Sequence, residues 1–181
     1  MIYLIRHGET DWNVERKIQG QTDIPLNKNG QKQAKDASEE ISKLKIDKIY
    51  SSDLSRAKET AEIINKKVGA EIIIDKRLRE VNCGDFEGAQ IDKFTDKDWK
   101  IFNEMPEKIK GESRQQVYDR VKSFIDEIKD DENVLVVTHG GSLRMMLYYA
   151  NNTDSFDMDS YNEFSKDFFI NNAKVIEYKE K

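Results

Sequence analysis

The sequence predicts an α/β fold: a three-layer α/β/α sandwich with a mostly parallel central sheet flanked by helices. Short apolar runs typical of buried strands alternate with longer segments in which apolar residues recur every three or four positions, as in amphipathic helices. Strands separated by helices pair in parallel through crossover connections, which places helices on both faces of the sheet. The chain has 181 residues, 37% of them hydrophobic and 36% charged. We therefore expect residues 1–181 to form a single domain.

Five segments are predicted to be strands. The two strongest, Met1–Ile5 and Val134–Thr138, are continuous apolar runs of the kind found in central parallel strands. Shorter runs at Ile49–Ser51 and Ile72–Ile74 are weaker candidates, and Lys174–Tyr178 is expected to be an edge strand that closes the sheet.

Three segments between these strands have the period of amphipathic helices. The third has the longest apolar stripe and begins with Ser113 and Gln116, the residue pair of a capping box. A fourth helix is expected to begin at Met145, after a pair of glycines. The three apolar faces are Ala34, Ala37, Ile41 and Leu44; Ala57, Ala61, Ile64 and Val68; and Val117, Val121, Phe124, Ile125 and Ile128.

Residues 82–111 have the least regular pattern, and we expect loops and short helices that cover one end of the sheet. Trp99 and Phe102 lie in this cover and are expected to pack on the core rather than over a substrate. Cys83, the only cysteine, belongs to no metal-binding or CxxC pattern and is expected to be a small buried side chain. Since one cysteine cannot form an intrachain disulfide, a reducing, cytoplasmic location is expected.

Composition and charge argue against two classes of partner. Lys and Arg number 30 against 35 Asp and Glu, so the net charge of −5 offers no broad basic surface for nucleic acid. No apolar run approaches the roughly 20 residues of a membrane span. The apolar amino terminus is interrupted at Arg6, too early for a signal-peptide core. We therefore expect a small-molecule partner, with no nucleic acid and no membrane.

The only two histidines of the chain occupy matching positions. His7 and His139 each follow a predicted strand and precede glycine, in the sequences RHG and THG. Because ligands bind at the carboxyl ends of strands in open α/β sheets, both imidazoles should meet at one site. A metal site is the alternative explanation. It is disfavoured because the neighbours are Arg6 and glycines, where an acidic ligand would be expected.

Two arginines lie where they can join this site. The chain has only eight arginines; Arg6 directly precedes His7, and Arg56 opens the helix that follows Ile49–Ser51. A guanidinium group can donate parallel hydrogen bonds to two phosphoryl oxygens, and the adjacent glycines let backbone N–H groups approach the same oxygens. We therefore predict a site for a tetrahedral dianion. A salt bridge on the helix surface is the alternative role for Arg56.

The residues around both histidines resemble those of the histidine phosphatase superfamily, also called the phosphoglycerate mutase-like family. Residues 6–13, RHGETDWN, are similar to the family's RHGET-x-W-N signature. Four further blocks are similar to the family in order and spacing: residues 19–26, 51–61, 78–88 and 137–140. The resemblance spans essentially the whole chain, and five blocks in the same order are far more specific than RHG alone.

The resemblance implies that His7 is the nucleophile and forms a phosphohistidine. It also implies that Glu80 gives a proton to the leaving group and then accepts one from water; without the resemblance, Glu80 would be taken for a surface charge. The other residues implied are Arg6, Asn13, Arg56 and His139 as ligands of the phosphoryl oxygens, and Gln19, Gly20 and Gly140 as substrate-binding residues. Since the cationic groups stabilise the transition state, neither a metal nor a cofactor is expected.

The length of the chain between Glu80 and His139 favours a phosphatase. Only 58 residues separate them, fewer than in the mutases of the family, and residues 81–84 depart from the mutases' Arg-His-Tyr-Gly pattern. We expect a metal-independent phosphatase of small phosphorylated metabolites, similar to broad-specificity phosphatases and to α-ribazole phosphatase, toward which residues 20–26 lean. The alternatives are a cofactor-dependent phosphoglycerate mutase and a catalytically weak module that binds a phospho-ligand.

Overall fold

A five-stranded sheet runs through the centre of the protein. The computed structural model describes residues 1–151, 155–166 and 170–179. Its strands are β1 (Ile2–Arg6), β2 (Lys48–Ser51), β3 (Glu71–Ile74), β4 (Val134–Thr138) and β5 (Val175–Tyr178). All five strands expected from the sequence are confirmed, and no strand end differs by more than one residue.

The sheet order is β3-β2-β4-β1-β5. The first four strands are parallel, and β5 pairs antiparallel with β1 as the expected edge strand. β1 and β4 are neighbours, with Arg6 opposite Thr138 in the register. The residues that follow these two strands therefore emerge side by side at the same edge of the sheet.

Helices pack on both faces of this sheet, which confirms the three-layer α/β/α architecture. Among the described residues the helices are α1 (Asp11–Val14), α2 (Lys28–Ile41), α3 (Ser55–Val68), α4 (Asp96–Glu104), α5 (Arg114–Ile128), α6 (Gly140–Asn151) and α7 (Met158–Ser165). α2 and α3 pack against the face that carries Ile5 and Val137, and α5 and α6 pack against the face that carries Leu4 and Val136. Successive strand residues thus fill opposite cores, as the period of a strand requires.

The amphipathic stripes predicted from the sequence are the buried faces of α2, α3 and α5, except at two positions. Leu44 lies beyond the end of α2, and both Leu44 and Val68 are half-buried. The capping box at the start of α5 is also confirmed: Ser113 Oγ accepts from the backbone N–H of Gln116, and Gln116 Oε1 accepts from that of Ser113. Each bond satisfies a donor that the first helical turn leaves without a partner.

Helix α6 begins earlier than expected. The prediction placed its start at Met145, but the helix starts at Gly140 and contains both glycines in its first turn. The Glu80 carboxylate accepts from the backbone N–H of Gly141 at 3.0 Å, and a Cβ at residue 141 would lie 2.6 Å from the same oxygen. Glycine therefore lets a carboxylate from a distant segment cap this helix.

The irregular cover predicted for residues 82–111 is confirmed. It consists of α4 and three short 3₁₀ turns, at Gly84–Phe86, Ile91–Lys93 and Pro106–Ile109. Cys83 is buried as expected, and burial raises the pKa of its thiol well above the ordinary value. In the parts of the chain that the structure describes, no helix combines the length and the apolar composition needed to cross a bilayer.

Candidate active site

Both histidines lie at the carboxyl ends of the central strands. His7 follows β1 and His139 follows β4, and the backbone N–H of His7 donates to the Thr138 carbonyl at 2.9 Å. The ring centroids are 5.1 Å apart, with 56° between the ring planes. The prediction that the parallel register brings the two imidazoles together is confirmed.

A cavity of about 360 Å³ opens at this edge of the sheet. This volume suits a small molecule rather than a polymer. Eight of the nine predicted site residues line it: Arg6, His7, Asn13, Gln19, Gly20, Arg56, Glu80 and Gly140. The ninth, His139, is fully buried beside His7 rather than on the described cavity wall. The site residues thus lie together, although their chemical roles remain predictions.

His7 has the tautomer and the charge state that a nucleophile needs. Its Nδ1 lies 2.7 Å from the Gly8 carbonyl oxygen, an acceptor that assigns the proton of the neutral ring to Nδ1. The Nε2 lone pair is then free to react. Burial, together with the charges of Arg6 and Arg56, holds the pKa of His7 well below its usual value, so the ring is neutral at pH 7.

His139 is held neutral by the same effects. Burial and the charges of Arg56, Arg120 and Arg6 keep its pKa well below the ordinary range. Both of its ring nitrogens are buried and have no hydrogen-bond partner among the described residues. An imidazole in this position can donate one N–H to a ligand that brings its own acceptor.

Arg56 is completely buried, yet in the described structure no carboxylate forms a salt bridge with it. Its Nη1 donates to the Thr22 carbonyl at 2.9 Å and its Nη2 to the Gly20 carbonyl at 2.7 Å. Its Nε is buried and has no hydrogen-bond partner among the residues that the structure describes. The alternative role of Arg56, a salt bridge on the helix surface, is therefore wrong. Burial lowers the pKa of this guanidinium, as expected for a charge that is removed from water.

Arg6 is held in a similar way. Its Nη1 donates to the Ile170 carbonyl at 2.8 Å, and its Nε is buried without a partner in the described structure. Burial is the main cause that lowers its pKa, and the Glu80 charge acts in the opposite direction. Both arginines thus donate hydrogen bonds from terminal nitrogens to backbone carbonyls. The Nε of each has no partner among the described residues.

Glu87 fixes the loop that holds Arg56. Its carboxylate accepts from the backbone N–H of Gln21 and of Thr22, both at 2.8 Å, and from that of Cys83 at 3.1 Å. Gly20 has φ +52° at the start of this loop, and a Cβ there would lie 2.0 Å from a Glu87 oxygen. With its oxygens occupied by backbone donors, Glu87 supports the site instead of offering a free acid.

Asn13 and Gln19 present amide groups to the cavity. Asn13 Oδ1 accepts from the Thr10 backbone N–H at 3.1 Å in the capping box of α1, and Gln19 Oε1 accepts from Thr10 Oγ1 at 3.0 Å. Because each amide oxygen faces Thr10, the NH₂ group of each side chain remains available as a neutral donor.

Glu80 reaches the cavity from the segment after β3. Its Oε1 accepts from the Val81 N–H at 2.9 Å and from the Gly141 N–H at 3.0 Å, at the amino end of α6. These bonds fix a carboxyl group on the wall that also carries Arg6 and Gly140. The cavity therefore combines cationic donors with one carboxyl group, an arrangement that can bind an oxyanion and transfer a proton.

Sequence reasoning missed several residues of this cavity. Arg144 lies four residues after Gly140 on α6, and Arg114 is the first residue of α5; both line the cavity. Trp99 and Phe102 line it as well, and Trp99 is 38% exposed. The expectation that these two aromatic residues pack on the core is confirmed for Phe102, which also lines the cavity, and is wrong for Trp99, which α4 holds at the cavity wall. The spacing of 140 and 144, one helical turn, could have indicated Arg144 had the start of α6 been placed correctly.

Comparison with known proteins identifies the family of the chain. The sequence profile of the histidine phosphatase superfamily (branch 1) matches residues 2–167. The chain belongs to this superfamily. A probable phosphoglycerate mutase, GpmB, from Escherichia coli is 42% identical over 154 residues, which cover 78% of this chain and 70% of the relative.

Solved structures of the superfamily are similar over most of the chain. Phosphoglycerate mutase from Thermus thermophilus superposes with a TM-score of 0.73 at 27% identity, covering 96% of this chain and 90% of that one. A mycobacterial glucosyl-3-phosphoglycerate phosphatase, in a complex with VO3, gives a TM-score of 0.70 at 29% identity, covering 82% and 80%. The chain therefore has relatives named as mutases and as phosphatases.

The two buried histidines should make the stability of this protein depend on pH. Because the pKa of each is lowered in the folded state, the unfolded chain binds more protons below about pH 6.5. The free energy of unfolding should then fall as the pH decreases from that value, by up to about 1.4 kcal/mol per pH unit for each histidine. Urea unfolding at several pH values gives the free energy of unfolding as a function of pH. Below about pH 6.5 this free energy should change less steeply with pH in His7→Gln and in His139→Gln than in the wild type. Identical slopes would contradict the neutral assignment.

Proposed function

We propose that this protein hydrolyses phosphate monoesters of small metabolites through a phosphohistidine intermediate on His7. One observation carries the proposal: four buried nitrogens of the residues assigned to the phosphoryl group have no hydrogen-bond partner among the described residues. They are Nε of Arg6, Nε of Arg56 and both ring nitrogens of His139. Buried polar groups are normally satisfied, and a tetrahedral oxyanion would supply several acceptors to cationic donors at once.

In the first step, His7 Nε2 attacks phosphorus and the bond from phosphorus to the ester oxygen breaks. The Gly8 carbonyl keeps the Nδ1 proton in place and stabilises the positive charge that develops on the ring. Arg6 and Arg56 bind the equatorial oxygens, with neutral donors from His139 and Asn13. Because these donors are fixed before the substrate arrives, they stabilise the transition state without reorganisation.

Glu80 acts on the leaving oxygen and then on water. In its acid form it gives a proton to the departing alkoxide, and as a carboxylate it accepts a proton from the water that attacks the phosphohistidine. Its bonds to the Val81 and Gly141 N–H groups hold it in one place for both steps. Breaking the phosphorus–nitrogen bond then releases phosphate and regenerates neutral His7.

The cationic side chains supply the charge that a divalent metal provides in other phosphoryl-transfer sites. We therefore propose a metal-independent enzyme that needs no cofactor and acts in the cytoplasm, where a single buried thiol such as Cys83 is compatible with the reducing conditions.

A phosphoglycerate mutase is the second candidate, because a relative with 42% identity is named a probable phosphoglycerate mutase. The short connection between Glu80 and His139 favours the phosphatase, since a mutase must shield its phosphohistidine from water. The two reactions differ in the fate of the phosphoryl group. An assay that follows both free phosphate and phosphoryl transfer between the two hydroxyls of glycerate distinguishes them.

Residues 20–26, which lean toward α-ribazole phosphatase, lie in the loop around Arg56, and that specificity stays a prediction. Thr22 bonds to Glu87, and Asp23 Oδ1 accepts from the Ser55 backbone N–H at 2.8 Å at the start of α3. These residues shape the loop around Arg56. A substrate panel for this protein should therefore include α-ribazole phosphate together with sugar phosphates and phosphoglycerate.

A covalent intermediate on His7 is the first expected outcome. Rapid mixing with a radiolabelled phosphate ester, in the presence of a chelator, should give protein-bound label that is stable in base and lost in acid, as expected for phosphohistidine. The label should be absent in His7→Ala. Label that persists in that variant would assign the nucleophile to another residue. Activity that is lost on chelation and restored by one specific metal would overturn metal independence.

The role of Glu80 should depend on the leaving group. Glu80→Gln keeps an oxygen that can accept from Gly141, so the fold should be preserved. The variant should cleave alkyl phosphates much more slowly, because an alkoxide is a poor leaving group without protonation. With an aryl phosphate whose phenol is acidic, the first step should be far less affected. Phosphoenzyme should then accumulate, and release of the phenol should show a burst followed by slow turnover.

Asp85→Asn is the matched control for Glu80→Gln. Asp85 lies in the cover, with its side chain 57% exposed and paired with Lys110. It does not line the described part of the cavity. The control should behave as the wild type with both classes of ester. Equal slowing of alkyl and aryl esters by Glu80→Gln, without a burst, would reduce Glu80 to a structural support.

A further inference from the structure

The eight arginines of the chain fall into two groups. Outside the cavity, each arginine pairs with a carboxylate: Arg16 with Asp92, Arg77 with Asp75, Arg79 with Asp53, and Arg120 with Glu112. The four arginines that line the cavity have no carboxylate partner among the described residues: Arg6, Arg56, Arg114 and Arg144. An unpaired guanidinium in a cavity is a group prepared for an anionic ligand.

Two of these four arginines are not needed for the proposed phosphoryl chemistry. Arg6 adjoins His7 in sequence, and Arg56 is anchored to the loop beside it, so these two serve the phosphoryl group. Arg144 projects from the second turn of α6, and its Nε is buried without a partner in the described structure. Arg114 comes from the start of α5, on the side of the cover.

Two uncharged side chains, Phe102 and Asn103, orient Arg114 without neutralising its charge. Its guanidinium carbon lies 4.7 Å from the centre of the Phe102 ring, and its Nη2 donates to Asn103 Oδ1 at 3.2 Å. Stacking on an aromatic ring orients a guanidinium group while its other donors remain free. The cover residues Trp99 and Phe102, with ring centroids 6.0 Å apart, therefore support an arginine on the cavity wall.

The charges in the described cavity wall exceed what one phosphoryl group can balance. Four guanidinium groups face a single carboxylate, that of Glu80. The remaining cation, Lys17, pairs with Glu15 at 2.5 Å. A bound phosphoryl group carries up to about two negative charges. One positive charge is then left over when Glu80 is ionised, and two when it is in its acid form; a second anionic group on the substrate would balance this excess.

We propose that Arg114 and Arg144 form a second anion-binding subsite, and that the preferred substrates are phosphate monoesters that carry another acidic group, a carboxylate or a second phosphoryl group. This inference rests on the proposed phosphatase function, because Arg6 and Arg56 are assigned to the phosphoryl group that is cleaved. The cavity volume of about 360 Å³ restricts such substrates to compact acids.

Three esters with one carbon skeleton test the subsite. Glycerol 3-phosphate has a neutral end, 3-phosphoglycerate has a carboxylate there, and glycerol 1,3-bisphosphate has a second phosphoryl group. The wild type should show kcat/KM at least about tenfold higher for one or both acidic esters, since a charge-assisted contact of this kind is worth about a factor of ten. The two acidic esters identify which group the subsite prefers.

Substitution of the two arginines should remove this preference. Arg144→Gln and Arg114→Gln should each lower the ratio of kcat/KM between acidic and neutral ester about tenfold, mainly through KM. Arg144→Lys keeps the charge and should retain part of the ratio. Arg16→Gln removes the same charge outside the cavity, where Arg16 is exposed and paired with Asp92, and should leave the ratio unchanged. Thermal unfolding of each variant checks that the fold is intact.

Binding to His7→Ala separates this inference from the proposed function. Calorimetry with the three esters in this variant measures their relative affinities without turnover, with the same arginine substitutions added. Tighter binding of an acidic ester that depends on Arg114 and Arg144 supports the subsite even if no ester is hydrolysed. Equal affinities for neutral and acidic esters, or a preference that survives both substitutions, would overturn it. Hydrolysis of an aryl phosphate by the wild type would still support the proposed function.

Discussion

The site depends on positive charge that the fold buries with no carboxylate partner among the described residues. Arg56 is fully buried, Arg6 is half-buried, and each donates to backbone carbonyls, which are dipoles rather than full charges. Such burial is costly, since charge removed from water is normally paired. Burial, together with the same charges, keeps the pKa of His7 and of His139 low and both rings neutral. A bound oxyanion would relieve the cost, which explains why a stable fold can retain this arrangement.

Much of the remaining structure serves to hold those charges in place. The parallel register of β1 and β4 places His7 beside His139. Glu87 accepts hydrogen bonds from the backbone of the loop whose carbonyls accept from Arg56. Glu80 caps α6 while it faces the cavity, which is possible because residue 141 is glycine. The contacts that fix the scaffold and those that orient the proposed catalytic groups are therefore largely the same. Substitutions at Glu87 or Gly141 should be read as effects on geometry before they are read as effects on chemistry.

The strands and the meeting of the two histidines were predictable from the sequence, because buried strands are continuous apolar runs and their carboxyl ends share one edge. Arg114 and Arg144 were not. Glycines usually end helices, so the Gly140-Gly141 pair moved the expected start of α6 to Met145 and left Arg144 without a place on the cavity wall. Trp99 was assigned to the core because large aromatic residues are usually buried. Its exposure depends on how the cover folds, and no local pattern in residues 82–111 specifies that.

A crystal structure with vanadate tests the central claim most directly, since vanadate adopts the five-coordinate geometry of phosphoryl transfer. The account predicts vanadium bonded to His7 Nε2. Its equatorial oxygens should lie within hydrogen-bond distance of Nε of Arg6, Nε of Arg56 and a ring nitrogen of His139, the donors that are unpartnered in the described structure. Vanadate bound elsewhere in the cavity, or bound at His7 while those nitrogens stay unpartnered, would contradict the claim that the buried charges are arranged around a transferring phosphoryl group.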